Sequence, residues 1–297
     1  MTGAERGFLL LSSHLGDPLR RPLSIPQLRT LGRRMQLTER PTEERDLLPA
    51  DLIALGYGAE MAERIVMLLS EERLLDKYLK EAAMCDCAPM SRISDGYPLL
   101  LHKRLGLESP GCLWLKGDAS FLMQPMIALV GSRELMEANR HFAEEVGRQA
   151  ARQGYVLVSG NARGADRTAQ DACLASGGQV ISVVADELCK QPMQKNVLYV
   201  SEDGFNEPFS AQRALSRNRV IHALGLKTFV AQASLKMGGS WDGTVKNLRG
   251  GWSDVYCFDD HSEAMVLLSQ MGANLIEIHE LESIYDLPRN EENLFDR

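Results

Sequence analysis

The stretch "VLVSGNARGADRTAQDA", Val156 to Ala172, decides the architecture. An apolar run, Val156-Leu157-Val158, ends abruptly at Ser159-Gly160. Five residues later, Ala165 and Asp166 open a segment with helical character. An apolar run without polar alternation reads as a strand buried on both faces, the condition of a parallel sheet covered by helices. A small-residue turn joining such a strand to a helix is the repeating joint of an α/β fold.

The same alternation extends in both directions. Upstream, "MIALVGSR" reads as strand and turn, and "ANRHFAEEVGRQAARQG" as a helix ended by Gly154. Downstream, "QVISVVA", "VLYVSE", "KTFVAQA", "DVYCFD" and the short "NLIEI" read as strands, and "SRNRVIHALG", "GTVKNLRGG" and "HSEAMVLLSQMG" as helices. The expected fold is α/β, a doubly wound, mostly parallel sheet over residues 85–285. Residues 1–84 look helical, with Ile65, Leu68, Leu69, Leu74, Leu75 and Leu79 at helical spacing. Within them "LIALGYGAEMAERI" has the look of a helix-hairpin-helix element, read here as a packing unit because only Arg64 lies nearby to meet a phosphate. Residues 86–125 read as irregular apart from a strand at "CLWLKGD", and 286–297 as a polar, loose tail.

The net charge of −7 is unevenly spread. Residues 1–129 carry 16 basic against 17 acidic side chains, 130–250 carry 15 against 12, and 251–297 carry 2 against 11. The middle is therefore basic inside an acidic chain, which matters for a polyanionic partner. The six cysteines contain no C-x-x-C pair, which argues against a zinc site and for reduced thiols. No apolar run reaches membrane-spanning length and no signal-peptide core is present, so a soluble, cytoplasmic protein is expected.

In open α/β sheets, ligands bind beyond the carboxyl ends of the strands. Three turns there share a composition: Gly131-Ser132-Arg133; Ser159-Gly160-Asn161-Ala162-Arg163-Gly164; and Gly238-Gly239-Ser240 after Met237. Glycine lets backbone approach a ligand, a following helix aims N–H groups at it, and arginine offers a planar fork for phosphate oxygens. Together they predict a phosphate-binding rim. A fourth element, "SRNRVI", places Arg217 and Arg219 two apart at a helix head. One of them can face the rim while the other braces the fold or a neighbouring subunit, and Asn218 can serve backbone or ligand. Arginine at a helix N-terminus is electrostatically unfavourable without an anion. Asp166, in the first turn of its helix, is expected to cap N–H groups or to orient Arg163. Neither the dinucleotide G-x-G-x-x-G nor the P-loop pattern occurs, and no catalytic set, cofactor or metal site is expected.

At these elements the sequence resembles the DNA-processing protein A family, also called Smf. The resemblance rests on G-S-R at 131–133, S-G-x-A-R-G-x-D at 159–166, R-N-R-x-I at 217–221 and the Ser201-Glu202 pair. It is joined by a lead-in with Tyr97-Pro98 and Lys116-Gly117-Asp118. It covers roughly residues 50–285. It implies an extended Rossmann-like domain that binds single-stranded DNA, assists loading of a RecA-type recombinase in DNA uptake and recombination, and works as a homodimer without a known reaction. DNA contacts would fall on Gly131, Ser132, Arg133, the Ser159–Gly164 turn and Arg217 to Arg219. This chain departs from the family at Ala138-Asn139, in a compressed segment after "VISVVADEL", and at Trp241 within the third turn. With only about a dozen polar residues after Ile284, no winged-helix extension like that of many members is expected there. Phosphates on three to four such contacts give a salt slope of roughly −2 to −3. Base stacking would come from Phe205, Phe209 or Trp241. Two other uses of the rim remain open: a small-nucleotide sensor, and a nucleotide phosphoribohydrolase resembling the cytokinin-activating LOG enzymes. Against the latter, Asn247 stands where those enzymes place a glutamate.

Overall fold

The computed structural model describes residues 1–36 and 46–288. Its described residues build one sheet from nine strands: β1 (Ala88–Ser91), β2 (Cys112–Lys116), β3 (Met126–Val130), β4 (Val156–Ser159), β5 (Gln179–Val183), β6 (Val197–Ser201), β7 (Lys227–Val230), β8 (Asp254–Phe258) and β9 (Asn274–Ile276). The spatial order is β1-β2-β6-β5-β4-β3-β7-β8-β9. All neighbours from β6 to β9 run parallel, and β1 and β2 add an antiparallel edge. The chain winds outward from β3 in one direction through β4 to β6 and then returns to add β7 on the other side. The switch point thus falls between β3 and β7, where loops diverge and leave a crevice.

The helices on the sheet are α6 (Leu99–Leu105), α7 (Glu137–Arg152), α8 (Ala165–Ala175), α9 (Ala211–Ser216), α10 (Asn218–Leu224), α11 (Gly238–Gly250) and α12 (Glu263–Gln270). Alternate strand residues enter two cores. Ile127, Leu129, Leu157 and Phe229 meet Phe142 and Val146 of α7 and Ala169 of α8. Ala128, Val130, Val158 and Val230 meet Val220, Ile221 and Leu224 of α10. Every residue of β3, β4 and β7 is buried, as two covered faces require. α7 and α8 cross in close contact because Gly147 presents no side chain; a Cβ there would collide with the Ala169 carbonyl.

The described residues of 1–84 include five helices: α1 (Gly3–Ser12), α2 (Ile25–Gln36), α3 (Pro49–Ala54), α4 (Ala59–Ser70) and α5 (Glu72–Met84). Leu11, Leu23, Leu31, Leu52, Ile65 and Leu68 form a small core of their own. Leu9, Leu10, Leu75 and Tyr78 instead join the sheet core, where the Tyr78 ring packs 5.2 Å from Trp114 and 4.7 Å from Phe205. Arg64 donates to the carbonyls of Arg21 and Pro22, which fits the packing reading of the α3–α4 pair.

Two expectations change. The stretch 86–125 contains β1 and α6 besides the expected strand. Both were missed because β1 is short and carries a proline, and α6 is only two turns long. The tail does not begin loosely at 286. Lys227 on β7 donates to the carbonyls of Ile284 (2.6 Å) and Leu287 (3.0 Å), Tyr256 donates to that of Pro288 (2.6 Å), and Leu287 is buried. Residues 289–297 of the expected tail lie outside the described residues.

Beneath α10 a polar group is held in the core. Asn247 donates to Nδ1 of His222 (3.1 Å) and to Ser253 Oγ (2.9 Å), and its Oδ1 accepts from Ser253 N–H (2.9 Å). That network fixes the amide's orientation, makes Nδ1 an acceptor and puts the imidazole proton on Nε2. Burial lowers the His222 pKa from 6.5 to about 3. The neutral ring therefore supports the fold fully above pH 6.5, and the support is lost as pH falls toward 3. Between these limits the slope is about 1.4 kcal/mol per pH unit. In urea titrations between pH 7 and 4, wild type should lose stability more steeply than His222→Gln by about that slope; parallel curves would show that the ring does not stay neutral.

Candidate functional site

At the switch point the loops after β3, β4 and β7, together with α9 and α10, enclose a cleft of about 770 Å³. Glycine makes the close approaches possible. A Cβ on Gly131 would lie 2.5 Å from Cβ of Ala165, so the β3 turn can touch the head of α8 only as glycine. Gly164 has φ +88° and abuts the carbonyls of Ser132 and Arg133. Asn161 also takes a left-handed φ, +61°, which asparagine tolerates.

The turns are cross-tied. Ser132 Oγ donates to the Gln232 carbonyl (3.2 Å), Ser240 Oγ to the Gly131 carbonyl (2.6 Å), and Asn218 Nδ2 to the Gly239 carbonyl (3.1 Å). Gln232 Oε1 accepts from Met136 N–H (3.0 Å), and buried Asn139 donates to the Ala231 carbonyl (2.8 Å) and to Asp260 (2.7 Å). Asn139 is one of the departures from the family pattern, and its buried bonds explain the residue type. Side chains thus lock the walls; α11 begins with no side-chain cap, whereas the Ala165 N–H at the head of α8 already donates to the Ser132 carbonyl (3.1 Å). Uncapped helix starts favour anions.

Arg217 is the charged centre of the cleft. It is only 7% exposed, and its Nε is buried without a hydrogen-bond partner. It occupies space left by Gly160, where any Cβ would overlap the guanidinium. Burial pulls its pKa down, while Asp166 and Asp186 act through space to hold its charge. Among the described residues no carboxylate forms an ion pair with it. Asp166 is itself buried; desolvation raises its pKa, opposed by Arg217 and by the N–H groups of Ala162 (3.1 Å) and Gly160. An unmatched buried donor costs about 1–3 kcal/mol, and the residue that carries it borders the cleft.

The structure sorts the predicted residues. Arg133, exposed and without a hydrogen bond or ion pair among the described residues, lines the cleft with Arg217, Asn218, Gly238, Gly239 and Ser240. Arg163 does not. It is exposed and pairs with Glu134 at 3.2 Å on the rim. Asp166 therefore does not orient Arg163; it fastens the 160–162 turn and faces Arg217. Ser159 is turned inward, its Oγ accepting from Gln170 (2.6 Å), and cannot reach a ligand. Arg219 is the brace of the pair: it binds Glu202 (2.7 Å) and the Ser216 carbonyl (2.9 Å). Of the three aromatic candidates, Phe205 (3%) and Trp241 (9%) are core, whereas Phe209 is 58% exposed and lines the cleft. Glu134 and Gln232 also line it and were missed. Asn247 is fully buried with His222, away from the cleft lining.

A family model described as DNA recombination-mediator protein A matches residues 90–277. The chain is 30% identical over 201 residues to the DNA processing protein DprA of Streptococcus pneumoniae, covering 63% of this chain and 70% of that protein. It is 30% identical over 146 residues to protein Smf of Escherichia coli, covering 44% of this chain but 38% of that protein. Among solved structures, the S. pneumoniae DNA processing protein A superposes with a TM-score of 0.67 at 24% identity, covering 86% of this chain and 90% of that one. The Helicobacter pylori protein, whose structure was described for its single-stranded DNA binding mode, gives 0.55 at 22%, covering 66% and 94%. These two likenesses establish the fold. No helix among the described residues is long and apolar enough to cross a membrane.

The two glycines that admit neighbours should respond differently to alanine. Gly160→Ala displaces only the end of a side chain and should cost at most about 1 kcal/mol, whereas Gly147→Ala meets backbone and should cost about 1–3 kcal/mol. Urea denaturation compares them; a Gly160→Ala loss as large as that of Gly147→Ala would mean that the Arg217 guanidinium is structurally fixed rather than seated for a ligand.

Proposed function

The chain belongs to the DNA recombination-mediator protein A family, and from that premise we propose that it binds single-stranded DNA in the cleft at the β3–β7 switch point. The observation that carries this reading is Arg217: a desolvated guanidinium bordering a cleft that Arg133 also lines, neither of them ion-paired among the described residues. A phosphate accepts from planar N–H forks and is favoured at uncapped helix starts. Phe209 supplies an exposed aromatic face on the same wall, suited to sequence-tolerant base stacking. The binding role falls to the 85–285 unit; the 1–84 helices serve as its packed support.

The geometry revises the expected charge count. Arg133 and Arg217 face the ligand, and Arg163 stands at the rim in an exposed ion pair of a kind worth about 0–1 kcal/mol, from which it can be recruited. Two to three phosphate contacts give a salt slope of roughly −1.4 to −2 per protomer. Such modest affinity suits a protein that hands its strand on. In keeping with the family, we assign it a role in recombination, presenting the strand to a RecA-type recombinase as a homodimer whose two clefts add avidity. Nothing in the cleft pairs a nucleophile with a base, and the position of a hydrolase glutamate is held by Asn247 inside the core.

Fluorescence anisotropy with oligo(dT) at several salt concentrations tests the proposal. Arg217→Ala should weaken binding by about tenfold or more and flatten the salt slope by about 0.7. Phe209→Ala should weaken it by about fivefold or more at an unchanged slope. Competition by mononucleotides at equal concentration would instead favour a nucleotide sensor, and adenine released from AMP would favour a hydrolase; either outcome would displace the proposal.

A further inference from the structure

Behind the α9–α10 junction lies a second hollow of about 660 Å³, distinct from the cleft. Its wall is the flank of α11 beside α10, where Gly243, Lys246, Arg249 and Gly250 recur at helical spacing, and Arg219 forms part of its lining. Leu215 and Asn218 line both hollows, so the two are continuous across a single ridge. Three cations border the second one. Arg219 is neutralised by Glu202 and Lys246 pairs with Asp242 at 2.8 Å, but Arg249 is exposed and has no ion pair among the described residues. Glu108 is the acidic residue of the lining.

Trp252 gives this hollow its chemistry. The indole is half-buried, and it lies against Gly250, where a Cβ would approach Nε1 to 2.5 Å. Its N–H has no acceptor among the described residues. The other two tryptophans, Trp114 and Trp241, are buried in the sheet cores. An aromatic face, a free arginine beside it and an exposed apolar ridge at Leu215 leading to a phosphate-binding cleft form the pattern of a single-strand track: stacking platform, backbone cation and a continuous path.

Resting on the function proposed above, we infer that the hollow bounded by Arg249, Lys246 and Trp252 is an extension subsite, taking the bases and phosphates of a single strand that leaves the cleft over Leu215. The strand's length then decides affinity. An oligo(dT) of about 6 nucleotides fills the cleft alone, and one of about 15 reaches the second hollow as well.

The test uses the full-length protein with those two oligonucleotides, following anisotropy and tryptophan fluorescence. The long strand should bind more tightly and quench tryptophan emission, with the quench lost in Trp252→Ala. Trp252→Ala and Arg249→Glu should each weaken the long strand by about tenfold and leave the short one unchanged. Arg249 is exposed, so its variant keeps the test valid if the tryptophan variant folds poorly. Arg217→Ala should weaken both strands. Equal affinity for the two lengths, or equal losses on both in Arg249→Glu, would overturn the subsite while leaving the cleft standing. Binding of neither oligonucleotide by wild type would overturn the subsite and the proposed function together.

Discussion

The site depends on one arginine placed where the fold alone gives it no hydrogen-bond partner. Arg217 enters the space that Gly160 leaves open, loses most of its water, and among the described residues finds no carboxylate close enough to pair with. Desolvating a guanidinium without a partner opposes folding. The structure tolerates it because Asp166 supplies charge through space while spending its own hydrogen bonds on the β4 turn. A carboxylate held back in this way steadies the cation without filling its fork, which stays free for a planar anion.

Rigidity around that fork comes from the cross-ties between turns. Ser132, Ser240, Asn139 and Asn218 all donate to backbone carbonyls on a neighbouring segment, and Ser132, Ser240 and Asn218 do so from the cleft lining. Small polar side chains thus act as mortar, and Arg133 and Arg217 are the cations that border the cleft. A preorganised wall of this kind lowers the ordering cost of binding.

Much of this was legible in the sequence. The buried-strand runs and Gly-Ser turns led to the parallel sheet, and the arrangement of four short elements pointed to its carboxyl edge. That one arginine of the 217/219 pair turns to the cleft while the other braces the fold was also readable from their spacing. Which arginine does which was not, because it depends on Glu202 being buried beneath Arg219. Arg163 looked like a ligand group from its turn, but it pairs with Glu134, 29 positions earlier in the chain yet adjacent on the rim. Ser159 was misjudged for a similar reason: a residue at the last position of a buried strand faces Gln170 of the covering helix. Phe209 could be told from Phe205 and Trp241 only by burial, which sequence composition does not specify.

The central claim is that the Arg217 fork awaits a phosphate, and the side-chain Nε–H resonance of that residue reports on it most directly. In ¹⁵N-labelled protein, with the signal assigned through Arg217→Lys, titration with oligo(dT) should shift the Arg217 Nε–H resonance in step with saturation of binding. A resonance that stays fixed while the oligonucleotide saturates the protein would contradict the account, because the strand would then be held somewhere that leaves this guanidinium untouched.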